Sequence, residues 1–213
     1  MSRRRKKRRA RRRVLVLTAL ALLGAALIWH HRHEDLPASE ITPPDWVEQA
    51  LLPLNPWSRP GTPLREIDGI VVHYVGNPAT SAAANRSYFA NLALTHEAYA
   101  SAHFVVGLEG EVLQCVPLTE VAYCSSQAND HTVSIEVCHE DETGEFSAAT
   151  MAALQKLTVW LCEELELETS AVIRHYDVTG KVCPKFYVEQ PEAWEAFLAD
   201  LASLRAADSA PDP

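Results

Sequence analysis

The sequence predicts an α/β protein in which a mixed central β-sheet is flanked by α-helices, preceded by an N-terminal transmembrane helix. Residues 67–75 form an apolar, β-branched run without alternation, which is typical of a strand covered by helices on both faces. Residues 132–138 alternate between apolar and polar side chains, as a half-polar strand does. Elsewhere, apolar residues recur at helical spacing. This mixture of strands with intervening helices favours a sheet enclosed by helices.

The charges are distributed unevenly between the N-terminus and the rest of the chain. Residues 3–13 carry ten of the 19 Lys and Arg residues, whereas all 28 acidic residues lie at Glu34 or beyond it. From Glu34 onward, eight basic residues accompany 28 acidic ones, a difference of −20. Because contacts with phosphate need cationic side chains, nucleic acid is not an expected partner of this acidic body.

An uncharged segment, residues 14–29, directly follows the basic stretch. As a helix it would be about 24 Å long, slightly short for a hydrocarbon core of about 30 Å, although Arg side chains can snorkel and Trp29 can lie at the interface. We predict an uncleaved signal anchor, because no clear cleavage site precedes His30. A cleaved signal peptide, which would make the protein secreted, is the main alternative.

The basic residues 1–13 define the expected orientation of that anchor. The positive-inside rule places them in the cytoplasm and puts the rest of this single-pass protein outside the cell membrane. A nuclear-localisation signal and a twin-arginine signal are weaker interpretations of the same residues, since the apolar segment directly adjoins them.

Residues 30–63 contain seven of the 13 prolines, and we predict an extracytoplasmic, largely extended linker there. Within it, residues 45–52 have the pattern of a short helix after Pro44. Several apolar side chains of this segment are expected to pack onto the following domain: Trp46, Leu51, Leu52, Leu54 and Trp57. For the tryptophans, packing is favoured over contact with a substrate.

The first half of the following domain is predicted to contain two separate strands, a helix and a two-stranded hairpin. These elements are a strand at 67–75, a helix at 81–94, a hairpin formed by 102–108 and 111–116, and a strand at 132–138. Glu109 and Gly110 are the hairpin signal, since such a pair favours a tight turn. The last strand places Glu136 on a face that is unusually polar for a central strand.

The second half of the domain begins with the clearest helical pattern. Ser147 is its predicted N-cap, and leucines recur at helical spacing after it. A strand at residues 171–175 follows, and Pro191 begins a last helix. Residues 206–213 are predicted to be a disordered tail.

An imidazole, an ammonium group and a sulfur lie within nine residues of one another, at His175, Lys181 and Cys183. A His and a Cys eight residues apart are a weak signal by themselves. The proposed partner is His73, in the apolar run of the first strand, although a lone histidine there is more often a core residue. Two imidazoles and a cysteinate would leave one tetrahedral position for water, the composition of a catalytic zinc site.

The segments around His73 and from His175 to Cys183 resemble the zinc-dependent N-acetylmuramoyl-L-alanine amidase family, which includes phage endolysins, bacterial wall amidases and peptidoglycan recognition proteins. In that family a strand histidine, a later histidine and a Cys or Asp eight residues beyond it hold zinc, with a lysine two residues before the last ligand. The likeness covers roughly residues 64–200, and residues 64–205 form the predicted catalytic domain.

Amide hydrolysis needs a general base and a group that stabilises the oxyanion. We predict Glu136 as the base, because a carboxylate in an apolar strand is costly unless it has a partner or a task; a structural hydrogen bond is the alternative. In related amidases a Glu in the matching context is linked to catalysis. We predict that Lys181 polarises the scissile carbonyl, an effect that reaches about 3 to 4 kcal/mol in a dry site, with a merely solvated lysine as the alternative.

The sequence departs from the family pattern at two places. Ala102 stands where phage-type members carry a tyrosine, so a role for that tyrosine does not transfer. Tyr123 and Cys124 stand where many relatives have Trp-His, which leaves the substrate contacts of that loop open. Five residues are predicted to line a substrate cleft, with packing as the alternative for the last: Tyr74, Asn77, Asn85, Arg86 and His103.

With Cys183 as a ligand, four cysteines remain. In an exported protein, Cys115 with Cys124 and Cys138 with Cys162 could form disulfides, and free buried thiols are equally compatible with the sequence.

The resemblance implies a Zn²⁺-dependent amidase that cleaves peptidoglycan between N-acetylmuramic acid and L-alanine, with a monomeric catalytic domain. Two alternatives remain at this point. One is a peptidoglycan-binding module of the same fold without activity. The other is a metal-free cysteine hydrolase in which Cys183 is the nucleophile and His175 the base.

Overall fold

A computed structural model describes residues 41–208 of the chain. Six strands form one sheet: β1 (Val47–Gln49), β2 (Gly69–Tyr74), β3 (Phe104–Val106), β4 (Val112–Gln114), β5 (Thr132–Val137) and β6 (Val172–Arg174). Their spatial order is β1-β4-β3-β5-β2-β6. The predicted mixed sheet is confirmed, because β3 and β4 run antiparallel whereas the other neighbouring strands run parallel.

The parallel strands β5, β2 and β6 lie side by side, so their carboxyl ends meet at one edge of the sheet. The predicted hairpin joins β3 to β4, where the N–H of Gly107 donates to the carbonyl of Glu111 at 2.7 Å. Gly110 has a φ of 86° in this turn, a left-handed conformation that residues with a Cβ rarely adopt.

Five α-helices accompany the sheet in the described chain: α1 (Ala82–Thr95), α2 (Ala148–Glu164), α3 (His175–Thr179), α4 (Lys185–Glu189) and α5 (Pro191–Asp208). The side chain of Ser147 accepts a hydrogen bond from the backbone N–H of Thr150, which confirms it as the N-cap of α2. Ser81 caps α1 in the same way through Ala84.

The helices cover both faces of the sheet, which explains why its strands are apolar on both sides. Successive side chains of β3 point to opposite faces. Phe104 meets Trp160 of α2 with ring centroids 6.3 Å apart, whereas Val105 lies in a buried cluster with Ala82 and Phe89 of α1. The core therefore has two layers, one on each side of the sheet.

The structure corrects the prediction for the segment before residue 64. Residues 45–52 do not form a helix; they contain β1, which pairs in parallel with β4. Leu52 is fully buried as expected, but Leu54 is 67% exposed. Part of the predicted linker thus belongs to the sheet, because pairing with β4 supplies hydrogen bonds that the local sequence pattern does not indicate.

Three further predictions concern the C-terminal tail, the cysteines and the transmembrane segment. Residues 206–208, predicted as tail, continue α5. All five cysteines are free thiols, so neither proposed disulfide is formed. The predicted transmembrane segment, residues 14–29, lies outside the described residues, and within residues 41–208 no helix has the length and apolarity needed to span a bilayer.

Candidate metal centre

The structure brings together the three predicted ligands, His73, His175 and Cys183. One ligand atom of each lies within 4.8 Å of those of the others. The two imidazole ring centroids are 4.6 Å apart, and Sγ of Cys183 is 3.8 Å from Nδ1 of His73. All three side chains are buried. They come from positions up to 110 residues apart in sequence, so the tertiary fold alone creates this group.

The parallel strands explain how the two histidines meet. His73 lies near the carboxyl end of β2, and His175 directly follows β6, the parallel neighbour of β2. The structure thus places His175 at the first position of α3, one residue beyond the strand in which it was predicted. Asp177 fixes this helix start, because its carboxylate accepts from the backbone N–H of Arg174 at 2.9 Å.

Cys183 follows α3 in a short loop. Gly180 ends the helix with a φ of 78°, which turns the chain back towards the sheet. The loop is then closed by a hydrogen bond of 2.9 Å from the N–H of Tyr176 to the carbonyl of Cys183. This turn is the physical reason for the spacing of eight residues between the second histidine and the cysteine.

The ring nitrogens of the two histidines indicate which atoms are available to a metal ion. Nε2 of His73 lies 3.0 Å from Oγ of Ser125, which leaves Nδ1 facing Cys183. Nδ1 of His175 is buried and has no hydrogen-bond partner among the described residues. A buried, unpartnered ring nitrogen is costly unless something binds it. Two nitrogens and a sulfur that converge in this way fit the ligand set of zinc.

The electrostatics of the centre favour the neutral forms of the ligands, which suits the two imidazoles but opposes the thiolate of Cys183. Burial, together with the neighbouring His175 and Lys181, lowers the pKa of His73 well below its usual value. Burial and then Lys181 lower the pKa of His175 too, so the neutral form is favoured for both rings. Burial and the Glu136 carboxylate raise the pKa of Cys183 to about 12, so its thiolate requires a bound cation.

Glu136 lies beside His73, because the two residues are paired in the register of β2 and β5. Its Oε1 accepts a hydrogen bond from the thiol of Cys124 at 3.5 Å, whereas its Oε2 is buried without a partner in the described chain. Burial raises the pKa of this carboxyl to about 8, and the bond from Cys124 and the charge of Lys181 act in the opposite direction. The group is a carboxyl with high proton affinity next to the metal ligands.

A cleft of about 600 Å³ opens over this centre. Glu136, Lys181 and the three metal ligands all line it. Lys181 is exposed and is the one Lys or Arg among the lining residues of the described chain. The predicted catalytic residues and ligands therefore share one solvent-connected space.

The predicted cleft-lining residues are only partly found there. Tyr74 lines the cleft, but His103 is fully buried with both ring nitrogens hydrogen-bonded, and is not in it. The guanidinium of Arg86 donates to two backbone carbonyls next to β1, and the side-chain amide of Asn85 donates to Oγ1 of Thr80 and to the carbonyl of Ser81, so both are structural. Asn77 is exposed outside the cleft.

A turn at residues 124–129 supports the centre, and the sequence analysis did not identify it. Its residues Cys124 and Ser125 contact the predicted base and the first ligand, as described above. Oδ1 of Asn129 accepts from the backbone N–H groups of both, at 3.1 and 2.6 Å. The side chain of Gln127 donates to a backbone carbonyl of α3 at 2.6 Å. A polar run such as this one indicates a turn, but the sequence does not indicate which distant residues the turn contacts.

The fold and the centre define a class of protein: a mixed-sheet α/β domain in which two imidazoles and a thiol form a candidate metal-binding group beside a carboxyl. Comparison with known proteins narrows this class. The sequence model of the N-acetylmuramoyl-L-alanine amidase family matches residues 63–186, and the chain belongs to that family.

Named relatives support this membership. The chain is 32% identical over 171 residues to the N-acetylmuramoyl-L-alanine amidase CwlL of Bacillus licheniformis, a match that covers 74% of this chain and 47% of that protein. It is 30% identical over 167 residues to the amidase BlyA of Bacillus subtilis (strain 168), covering 68% and 44%. The chain thus spans less than half the length of these curated relatives.

Solved structures agree on the fold. The catalytic domain of XlyA superposes with a TM-score of 0.62 at 27% identity, covering 73% of this chain and 98% of that one. The structure of PlyL superposes equally well, with a TM-score of 0.62, but at 19% identity it supports the fold alone.

Proposed function

We propose that this protein is a zinc-dependent N-acetylmuramoyl-L-alanine amidase that hydrolyses peptidoglycan between the lactyl group of N-acetylmuramic acid and the L-alanine of the stem peptide. One observation carries the proposal: His73, His175 and Cys183 converge in the same cleft as Glu136 and Lys181. The substrate bond is the one named for the family and for the relatives.

His73 and His175 would hold the zinc ion through their Nδ1 atoms, and Cys183 through its sulfur. When bound, zinc supplies a Lewis acid that polarises a carbonyl and lowers the pKa of water from about 15.7 to near 7. The remaining chemistry belongs to the side chains around the ligands.

Glu136 acts as the general base and then as the general acid. Its carboxylate takes a proton from the attacking water as the water oxygen bonds to the carbonyl carbon. It then delivers that proton to the nitrogen of the departing L-alanine, so that the amide bond breaks with the charge balanced. The position of Glu136 next to His73 and its burial both suit this exchange, because a buried carboxyl binds a proton readily.

Lys181 stabilises the negative charge that develops on the carbonyl oxygen. Its ammonium is the cationic side chain of the cleft, and it is carried by the loop that also supplies Cys183. Placing a fixed positive charge where an oxyanion forms lowers the barrier to its formation.

The two alternative functions receive less support. A cysteine nucleophile must be an accessible thiolate, but Cys183 is 1% exposed and burial raises its pKa to about 12. A binding module without activity has no need for a buried carboxyl beside a complete ligand set, which costs stability. The arrangement of Glu136 and the ligands favours hydrolysis.

Digestion of purified peptidoglycan by the chain tests the proposal. Mass spectrometry should detect stem peptides with a free L-alanine amino group and glycan strands with intact lactyl groups. A chelator should abolish the release and added zinc should restore it. Release that survives chelation but stops after thiol alkylation would instead establish the cysteine hydrolase, and specific binding without any release would establish the binding module.

We also propose that residues 14–29 tether the protein to the cell membrane, with the catalytic domain outside. The support is the uncharged segment after a strongly basic stretch. In intact cells, an added protease should degrade the catalytic domain, and the domain should sediment with membranes. Recovery of the whole catalytic domain in the soluble, protease-protected fraction would contradict the tether.

A further inference from the structure

Aromatic rings form a continuous group at one side of the cleft, which we name the aromatic stack: Trp57, His96, Tyr99 and Tyr123. The ring of Trp57 stacks on that of Tyr99 with centroids 4.5 Å apart and on that of His96 at 4.7 Å. Tyr99 in turn meets Tyr123 edge to face at 5.6 Å. Tyr99 and Tyr123 both line the cleft that contains the metal centre.

Trp57 is held behind Tyr99 by a rigid loop. The side chain of Asn55 accepts from the backbone N–H groups of Trp57 and Ser58, at 2.8 and 2.9 Å. Arg59 forms two hydrogen bonds of 2.8 Å with the carboxylate of Glu120 in the main body of the domain. The backbone N–H that follows Tyr99 also donates to the carbonyl of Trp57 at 3.2 Å. The stack is therefore preorganised before any ligand arrives.

Tyr99 is 61% exposed although one side of its ring is covered by Trp57. Scattered exposed aromatic residues need no explanation, but this ring is backed by a second ring and faces a functional cleft. Flat, rigid aromatic side chains offer a large contact area at a small cost in conformational entropy. The arrangement is that of a platform for a flat ligand.

The cleft-lining residues from Tyr99 to Tyr123 in the chain include no acidic or basic side chain. Besides the two tyrosines they are Ala100 and Ser101, whereas Lys181 is on the segment that carries Cys183. This lining favours a neutral ligand group with an apolar face that can stack on the ring. A pyranose ring meets both conditions, since its axial C–H bonds form an apolar face. An anionic group would gain nothing from this part of the cleft.

We propose that Tyr99, backed by Trp57, is a saccharide subsite that binds an uncharged N-acetylhexosamine ring of the glycan strand. This proposal rests on the proposed function, because it names where the glycan next to the scissile amide lies. Trp57 is outside residues 63–186, the stretch that matches the family model, so this chain builds the subsite partly from its own N-terminal segment.

Binding of a peptide-free saccharide to the full-length chain tests the subsite. The probe is β-1,4-linked N-acetylglucosamine tetramer, titrated by intrinsic tryptophan fluorescence and by calorimetry. Tyr99→Ala should weaken binding by about tenfold or more, and Tyr99→Phe should retain it, since the ring and not the hydroxyl provides the contact. The matched control is Tyr88→Ala, which removes a 44% exposed tyrosine outside the cleft and should bind as the unaltered chain does.

Trp57→Ala provides a second variant, which should lower binding because it removes the support behind Tyr99. Unchanged saccharide binding in Tyr99→Ala, or equal losses in Tyr99→Ala and Tyr88→Ala, would overturn the subsite. The subsite would also be overturned if free stem peptide bound at Tyr99 and the saccharide did not displace it. The probe has no stem peptide, so its binding does not depend on amidase activity. If the chain binds the saccharide but releases no stem peptide, the proposed function is refuted and the subsite is not.

Discussion

Replacing Ser125 with alanine should weaken zinc binding while the protein stays folded. The hydroxyl of Ser125 is 3.0 Å from Nε2 of His73, and this contact orients the ring so that Nδ1 faces Sγ of Cys183 at 3.8 Å. Without the hydroxyl, Nε2 is left buried without a partner, and neither the rotation nor the tautomer of the ring is fixed.

The size of the effect follows from the position of Ser125 next to a ligand. Loss of a hydrogen bond to a ligating histidine typically lowers metal affinity by about 10- to 100-fold, which corresponds to about 1.4 to 2.7 kcal/mol. The loss to folding is about 1 to 3 kcal/mol, because a buried ring nitrogen is left without a partner, and this is a fraction of a total stability of about 5 to 15 kcal/mol. The variant should therefore fold normally but require more zinc.

The assay is a competition titration against a chromogenic chelator, followed by measurement of stem-peptide release with saturating zinc. Ser125→Ala should show the lower affinity and recover most of its activity when zinc is in excess. Ser58→Ala is the matched control, because Ser58 is also fully buried and its hydroxyl accepts one side-chain hydrogen bond, from Asn55 at 2.9 Å. Its zinc affinity should not change.

Two results would refute this reasoning. If Ser125→Ala binds zinc as tightly as the unaltered chain, the serine does not orient His73. If Ser58→Ala loses affinity to the same extent, the effect is a general consequence of removing a buried hydroxyl and not a property of the centre.

Glu136→Gln should retain zinc affinity but lose at least about 100-fold in the rate of stem-peptide release, and an active variant would remove this residue from the mechanism. Lys181→Met should lower the same rate by about 100-fold at unchanged zinc affinity, whereas a rise in KM alone would show a binding role. The buried ring of His103 accepts from the N–H of Ser134 and donates to the carbonyl of Glu120, and burial lowers its pKa to about 4 from 6.5. Because the folded pKa is depressed, the neutral ring contributes fully above pH 6.5, and up to about 3 kcal/mol is lost between pH 6.5 and 4. His103→Gln should reduce the dependence of the free energy of unfolding on pH in that range, as measured by urea denaturation. An unchanged pH dependence would contradict this assignment.

The residues of the candidate centre were predictable because their signals are local. His175, Lys181 and Cys183 lie within nine residues, so their spacing is visible in the sequence. Glu136 was recognisable as a carboxylate interrupting an apolar strand, a pattern that is costly without a reason. The ends of most helices and strands were also predictable, since N-caps such as Ser147 and the hairpin turn act on their nearest neighbours.

The partners of those residues were not predictable. His103 and His73 are both histidines in predicted strands. The ring of His103 is hydrogen-bonded to two backbone groups, whereas the ring of His73 faces Cys183. Residues 45–52 look helical, but β4 offers a free edge with which they pair instead. In each case the outcome depends on a group that is distant in the sequence.

The amino-acid pattern alone was thus enough for the chemical types at the centre, for most elements from residue 67 onward and for a sheet covered by helices. These features follow from periodicity and from spacing within short segments. Only the tertiary structure decided which ring nitrogen is available, which turn orients the first ligand and which tyrosine has a tryptophan behind it. Such contacts join residues tens of positions apart, and their geometry exists only once parallel strands have aligned and the loops at their ends have packed together.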